Sequence, residues 1–141
     1  MKKVTDDYIE KLESVDKKII IKDEGLKITE DALLLSEFVK KKLDNTKLKG
    51  DIMEGSGVLL EIGSGQGIIS LLLSEIKTIE KIHAVEIQKK IFEYLTDNVR
   101  MNNLENKVTA INEDIKNIQG KYEYIVSNPP YRKIISGRLP E

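Results

Sequence analysis

The sequence has no cysteine among its 141 residues. Disulfide bonds and thiolate metal sites are therefore excluded, and the composition is compatible with a reducing compartment, so we expect a cytoplasmic protein without a metal site. Long apolar runs are also lacking, since none approaches the roughly 20 residues that a membrane-spanning helix needs. The positively charged first residues are not followed by an apolar core, so we expect neither a secretory signal nor a membrane partner.

A charge excess of either sign is lacking too. The 23 basic and 24 acidic residues give a net charge of -1. Proteins that coat a polyanion without specificity are usually more basic, although a local basic patch can still bind RNA. The hydrophobic content of 40% and the charged content of 33% are ordinary for a globular chain, and the length predicts a single domain. We see no internal repeat and no low-complexity segment.

What the sequence does contain is a glycine-rich turn between two apolar stretches. The apolar run Val58–Ile62 includes the acid Glu61, and Gly63, Gly65 and Gly67 follow at alternate positions. This pattern predicts a buried strand, a tight loop and a helix, with backbone amides that a ligand can approach closely. A dinucleotide fingerprint would place its third glycine at position 68, so the spacing argues against that class of protein.

From this turn onward, apolar strand-like and helix-like segments alternate. The predicted strands cover residues 57–62, 82–86, 108–111 and 122–127, and the predicted helices cover residues 67–76 and 88–102. Such alternation is typical of an α/β fold with a parallel sheet and right-handed crossovers, here a doubly wound sheet with strand order 3-2-1-4.

The residues before the turn form a predicted N-terminal helical extension, over residues 1–50, ahead of the α/β domain at 51–141. We expect a short helix over 5–15, a strand at Ile19–Ile21 and a helix from a Thr29 cap to about Leu43. A loop is predicted over 44–56. Only 14 residues follow the fourth strand, so we expect the front part of a longer fold; pairing of this strand edge with another chain is the alternative.

Two acids follow the next strands of the predicted sheet. Glu86 ends the second strand and lies 19 positions after Gly67, where a carboxylate can accept from both hydroxyls of a ribose. Asp114 follows the third strand, where it would reach the exocyclic amine of an adenine, with Ile115 against the ring. Because strand ends of a parallel sheet meet at one edge, these side chains predict a nucleoside site.

The segment Asn128-Pro129-Pro130-Tyr131 follows the fourth strand and is the most specific signal in the chain. Two prolines stiffen the turn, so that the Asn128 side chain and the Pro129 carbonyl become fixed acceptors. A planar amino group needs two acceptors in its plane, and Tyr131 offers a face on which a base can stack. The segment therefore predicts a site for a planar amino group.

Together these motifs resemble the class I S-adenosylmethionine-dependent amino-group methyltransferases. The segment Lys27–Leu35 ahead of the glycine turn further resembles the bacterial tRNA adenine methyltransferases that modify valine tRNA. The resemblance implies a Rossmann-like fold, S-adenosylmethionine as cofactor, and tRNA or another RNA as substrate, with adenine N6 as the methylated atom. It also implies that Thr29 and Asp31 line the methionine end of the cofactor and that Glu61 lies near its ammonium group.

Several alternatives stay open within and beyond this class. Methyltransferases that act on protein glutamine, DNA or ribosomal RNA share the Asn-Pro-Pro-Tyr segment. A non-catalytic module that binds the cofactor, truncated after the fourth strand, is a further possibility, and a dinucleotide-dependent oxidoreductase is disfavoured by the glycine spacing. The sequence does not determine the oligomeric state.

Overall fold

The structure is a computed structural model that describes residues 8–12, 15–21, 28–48 and 57–129. Its centre is a four-stranded sheet with the strand order β5-β4-β3-β6. The strands are β3 (Gly57–Ile62), β4 (Ile79–Val85), β5 (Val108–Ile111) and β6 (Tyr124–Ser127). All neighbouring pairs are parallel, which confirms the predicted α/β fold and its strand order.

Two helices join these strands. Helix α2 (Ile68–Leu73) connects β3 to β4, and helix α3 (Lys89–Met101) connects β4 to β5. Both pack on the sheet, where Leu73 and Leu95 have no exposed surface and lie in one cluster with Leu59 and Ile82. Helix α2 is shorter than the predicted 67–76, and β6 begins at Tyr124 rather than at 122. Strand β4 covers Ile79–Val85 rather than the predicted 82–86, so Glu86 directly follows the strand instead of ending it.

The N-terminal segment forms an antiparallel hairpin instead of the predicted short helix. Strand β1 (Tyr8–Leu12) pairs with β2 (Lys17–Ile21), and the connection includes Asp16 in a left-handed conformation at φ 51°. The exposure of Ile9 shows why the predicted helix is wrong over residues 8–12. The helix would have buried Ile9 together with Leu12, but Ile9 is 62% exposed because alternate residues of a strand face opposite sides. The predicted strand at Ile19–Ile21 is confirmed.

Helix α1 (Glu30–Leu48) follows the hairpin and extends further than the predicted end near Leu43. Its first turn is capped by Thr29, whose Oγ1 accepts from the amide of Ala32 at 3.2 Å, as predicted. Ala32 and Leu43 are buried in the same cluster as the sheet residues, and α1 packs against α2. The helix is therefore part of the α/β core. Within the described ranges, no helix is long and apolar enough to cross a membrane.

The hairpin covers the outer side of helix α2. Leu12, Val15, Ile19 and Ile21 form a second apolar cluster with Leu71 and Leu72 of α2. Strand β2 also lies along α3. Because α2 starts at the end of the glycine turn, the hairpin packs against the helix that directly follows this turn.

Candidate functional site: the carboxyl edge of the sheet

The predicted site residues follow the strands at one edge of the sheet. Ile62 at the end of β3 is opposite Val85 of β4 and Ser127 of β6, and Val85 is opposite Ile111 of β5. The chain segments after these residues therefore emerge side by side. Four of the predicted residues lie in this row, namely Asp114, Glu86, Gly63 and Asn128. Ligands of parallel α/β proteins bind at such an edge.

The glycine turn depends on backbone angles that favour glycine. Gly63, Gly65 and Gly67 have φ values of 69°, 57° and 98°. No atom lies within 4 Å of the place where a Cβ would be at Gly63 or Gly65, so the backbone there faces open space. At Gly67 a Cβ would lie 2.7 Å from Cδ1 of Leu95, which is fully buried. Gly67 thus allows close packing of the turn on α3, whereas Gly63 and Gly65 leave room beside the main chain.

Hydrogen bonds from neighbouring strand ends hold this turn in place. The amide of Ser64 donates to the carbonyl of Val85 at 2.9 Å, and the Ser64 hydroxyl donates to the carbonyl of Glu61 at 3.1 Å. The amide of Gly67 closes the turn by donating to the carbonyl of Ser64 at 3.0 Å. Since these bonds lie within the protein, the turn is shaped before any ligand arrives.

Glu86 lies directly beside the turn. One oxygen of its carboxylate accepts from the amide of Gly65 at 3.0 Å, and the other accepts from the amide of Gln88 at 2.8 Å. The residue is only 6% exposed. A carboxylate oxygen has two lone pairs, so each oxygen retains one for a further donor. The structure therefore gives Glu86 a contact that sequence reasoning missed, because the same carboxylate orders the turn.

Glu61 is a buried acid behind the turn. It is 2% exposed, and the hydroxyl of Ser70 on α2 donates to its Oε1 at 2.6 Å. Burial raises the pKa of Glu61 to about 7, because the charged form loses its hydration; the hydrogen bond from Ser70 acts in the opposite direction. Glu61 therefore holds its proton to a higher pH than an exposed carboxyl group does.

Asp114 begins a short 3-10 helix (Ile115–Asn117) after β5. Its carboxylate accepts from the amide of Lys116 at 2.9 Å and forms an ion pair with the Lys116 ammonium at 3.6 Å. Ile115 is 39% exposed, which leaves an apolar surface beside this acid. The neighbouring Asn112 donates its side-chain amide to the carbonyls of Glu86 and Ile87 at 2.9 and 3.1 Å, and so joins the ends of β4 and β5.

Asn128 and Pro129 follow β6 at the edge next to β3. Asn128 is half-buried and Pro129 is exposed, and the hydroxyl of the preceding Ser127 donates to the carbonyl of Ile62 at 3.2 Å. Pro130 and Tyr131 lie outside the described residues. Thr29 and Asp31 are both exposed at the start of α1. The cofactor role of these last two residues stays a prediction.

Sequence reasoning missed Asn98 of α3 and Asn102, the residue that caps the C-terminal end of this helix. Asn98 is completely buried, and its side-chain nitrogen donates to the carbonyl of Gln66 in the glycine turn at 2.9 Å. The same side chain bonds to the main chain of Ile20, and Asn102 bonds to the main chain of Lys18. Their spacing could have indicated this role. Asparagine is a weak helix former, and here two asparagines lie four residues apart, on the same side of the helix and next to the apolar positions Leu95 and Val99.

A family model described as the methyltransferase small domain matches residues 32–137, which is most of the chain. The chain belongs to the methyltransferase small domain family. The predicted assignment to the methyltransferases is therefore confirmed at the level of the family.

Curated relatives are also named methyltransferases, but their names give different substrates. A relative from Tolumonas auensis named tRNA1(Val) (adenine(37)-N6)-methyltransferase is 32% identical over 82 residues, covering 56% of this chain and 34% of its own. A relative from Thermosipho melanesiensis named ribosomal protein L11 methyltransferase is 37% identical over 87 residues. The match covers 62% of this chain and 33% of the relative. The matched segments thus span about a third of the length of these relatives.

Solved structures confirm the fold. The Methanocaldococcus jannaschii TYW2 structure in complex with AdoMet superposes with a TM-score of 0.64 at 16% identity, covering 89% of this chain and 52% of that one. That structure contains AdoMet, and a structure of Methanocaldococcus jannaschii Trm5 contains adenosine; both agree with the cofactor predicted from the sequence.

Proposed function

We propose that this chain carries the S-adenosylmethionine site of an N-methyltransferase. The observation that carries the proposal is the open backbone at Gly63 and Gly65 next to the Glu86 carboxylate. Side chains at those two glycines would fill the space that a ligand needs, and Glu86 retains an acceptor lone pair on each oxygen. Family membership supports the identity of the ligand.

Each part of the cofactor has a proposed partner at the sheet edge. Glu86 accepts from the ribose hydroxyls, and Asp114 accepts from the adenine amine with Ile115 against the ring. The amides of the turn at 63–67 face the amino acid end. Glu61, Thr29 and Asp31 are proposed at the methionine end, where a deprotonated Glu61 would favour the ammonium group. When bound, the cofactor supplies an electrophilic methyl group.

We propose an exocyclic amino group as the acceptor, and adenine N6 in tRNA as the leading case. Asn128 and Pro129 would accept hydrogen bonds from the amine and hold it in the plane of both acceptors, with Tyr131 stacked on the base. Unstacking a base so that it can enter the site costs less free energy in a single-stranded loop than in a duplex. Positioning by these acceptors needs no strong base. The tRNA names of several relatives support this substrate, and Arg132, Lys133 and Arg138 are proposed to meet phosphates.

A protein amino group is the second candidate acceptor. It is favoured by the similarity to the Thermosipho melanesiensis relative, whose name gives ribosomal protein L11 as the substrate. A glutamine side-chain amide presents the same planar NH2 group to the two acceptors as an adenine does. The two candidates differ in the macromolecule that carries the label after transfer.

A transfer assay with a radiolabelled methyl donor distinguishes these candidates. The chain is incubated with labelled S-adenosylmethionine and either unmodified tRNA transcripts or purified ribosomal proteins. We expect label in tRNA, recovered as N6-methyladenosine after nuclease digestion. Label in protein would favour the second candidate. An Asn128→Ala variant should lose the label in either case while still binding the cofactor, and label at wild-type levels in this variant would refute the proposed role of Asn128.

A further inference from the structure

The free edge of strand β2 is bonded to helix α3 through two asparagine side chains. Asn98 accepts from the amide of Ile20 at 2.7 Å, and its nitrogen lies 3.4 Å from the Ile20 carbonyl. Asn102 accepts from the amide of Lys18 at 2.9 Å and donates to its carbonyl. Both strand residues therefore find, on a helix, the donors and acceptors that a further strand would have supplied.

The match follows from the dimensions of the two elements. Four helical residues rise about 6 Å, and two strand residues span about 6.6 Å. Asparagines spaced one turn apart on α3 thus reach alternate residues of β2. The helix and the strand run in opposite senses, since Asn98 reaches Ile20 and Asn102 reaches Lys18. This arrangement fixes the hairpin at a defined position along α3.

The two asparagines differ in one respect that matters for the site. Asn98 also donates to the carbonyl of Gln66, which lies between Gly65 and Gly67 in the turn. Asn102, the C-cap residue of α3, instead donates to the carbonyl of Asn98 one turn before it at 2.8 Å. Asn98 alone of this pair therefore joins the hairpin to the glycine turn, and it does so with no exposed surface.

We propose that Asn98 is a positioning residue for the glycine turn, through which the N-terminal hairpin sets the geometry of the cofactor site. The proposal rests on the proposed function insofar as the turn binds the cofactor. Loss of the Asn98 amide removes the hydrogen bond that holds the Gln66 carbonyl, so the turn is no longer fixed to α3 at this residue. A shift at Gln66 displaces the amides and the open backbone on either side of it, where the ligand binds.

The test compares Asn98→Ser with the matched control Asn102→Ser. Serine is too short to span these contacts, so both variants lose bonds to β2, but only the first loses the bond to the turn. Titration with S-adenosylhomocysteine, at a temperature where circular dichroism shows both variants folded, should give about a tenfold loss of affinity for Asn98→Ser. Asn102→Ser should change the affinity less than about twofold. Equal losses in both variants would overturn the proposal.

Amide chemical shifts separate this inference from the proposed function. In Asn98→Ser, the amide signals of Gly65 and Gly67 should move without any ligand, while in Asn102→Ser they should stay near their wild-type positions. If they move as expected but no variant or wild-type chain binds S-adenosylhomocysteine, the positioning role stands and the cofactor proposal fails. If they stay unchanged in Asn98→Ser, the positioning role fails whatever the ligand does.

A measurement on the wild-type chain covers the case in which Asn98→Ser does not fold. Coupling between two sites is reciprocal, so a ligand that orders the turn must also strengthen the bond from Asn98 to the hairpin. Hydrogen exchange of the Ile20 amide should therefore slow when S-adenosylhomocysteine binds, while that of the Lys18 amide should change less. Exchange that slows equally at both amides, or at neither, would overturn the proposal.

Discussion

Glu61 is a carboxylic acid in the apolar interior, where its charge is costly. Its pKa of about 7 in the folded chain exceeds the ordinary value of 4.5, so the folded state holds a proton that the unfolded state has released. Stability from this group is therefore fully present below about pH 4.5 and is lost as the pH rises through 7. Above pH 7 the buried charge costs on the order of 3 kcal/mol.

Glu61→Gln removes this cost, since the amide oxygen can still accept from the Ser70 hydroxyl. We predict that the variant has a higher free energy of unfolding than the wild type at pH 8, by about 3 kcal/mol, and that the difference vanishes near pH 4. Denaturant titrations at a series of pH values measure this. A variant that is less stable than the wild type at pH 8 would show that the charged acid is stabilised by contacts other than those described.

Substitutions at Gly67 and Gly63 should have different effects on stability and on cofactor binding. Gly67→Ala places a Cβ against Leu95 at a φ of 98°, so we predict a loss of stability above the roughly 1–2 kcal/mol that a left-handed residue costs. Gly63→Ala meets no atom and should cost only that amount, but its methyl group enters the ligand space. Denaturation and calorimetry together should therefore show Gly67→Ala as the less stable variant. Undiminished cofactor affinity in Gly63→Ala would count against the proposed site.

Sequence patterns predicted where the proposed site residues lie in the fold, but not which hydrogen bonds they form. Glycine spacing and acids at strand ends are local signals, and the structure places Gly63, Glu86 and Asp114 at one sheet edge, as expected. The bond between Asn98 and Ile20 joins residues 78 positions apart, and no local pattern specifies such a partner. The Gly65–Glu86 bond escaped prediction for the same reason, because it depends on the exact packing of two neighbouring strands.

At the scale of elements, the start of α1 offers a test of Thr29. Its hydroxyl caps the helix, and loss of such a cap costs about 1 kcal/mol. We predict that Thr29→Ala lowers the free energy of unfolding by about that amount, whereas Thr29→Ser retains the cap and most of the stability. Thermal or chemical denaturation measures this. An unchanged stability in Thr29→Ala, combined with weaker cofactor binding, would mean that the residue serves the ligand rather than the helix.

The hairpin shows where local patterns mislead. Residues Ile9, Leu12 and Val15 have the spacing of an amphipathic helix, yet β1 pairs with β2 and only Leu12 and Val15 are buried. Pairing with a β-branched partner strand decides the structure there, and a pattern read from one segment does not include its partner. The glycine turn lacks this ambiguity, since its backbone angles restrict the choice of residue.

At the scale of the molecule, the topology was predictable because it follows from few rules. Alternating strands and helices imply parallel pairing and right-handed crossovers, and the observed order β5-β4-β3-β6 agrees with them. The placement of the hairpin over α2 and α3 was not predictable, because it depends on side-chain contacts rather than on connection rules. Among the described residues, β6 has β3 as its partner on one side, and Ile125 on this strand is 62% exposed.

The most direct test of the cofactor site is titration calorimetry of the chain with S-adenosylmethionine and its demethylated product, with NAD as the control ligand. We predict saturable binding of both sulfur compounds and no binding of NAD. We further predict that Glu86→Ala abolishes binding, because the carboxylate orders Gly65 and is proposed to bind the ribose, and that Asn128→Ala preserves it. A wild-type chain that is folded by circular dichroism but binds only NAD, or binds none of these ligands, would contradict the central claim.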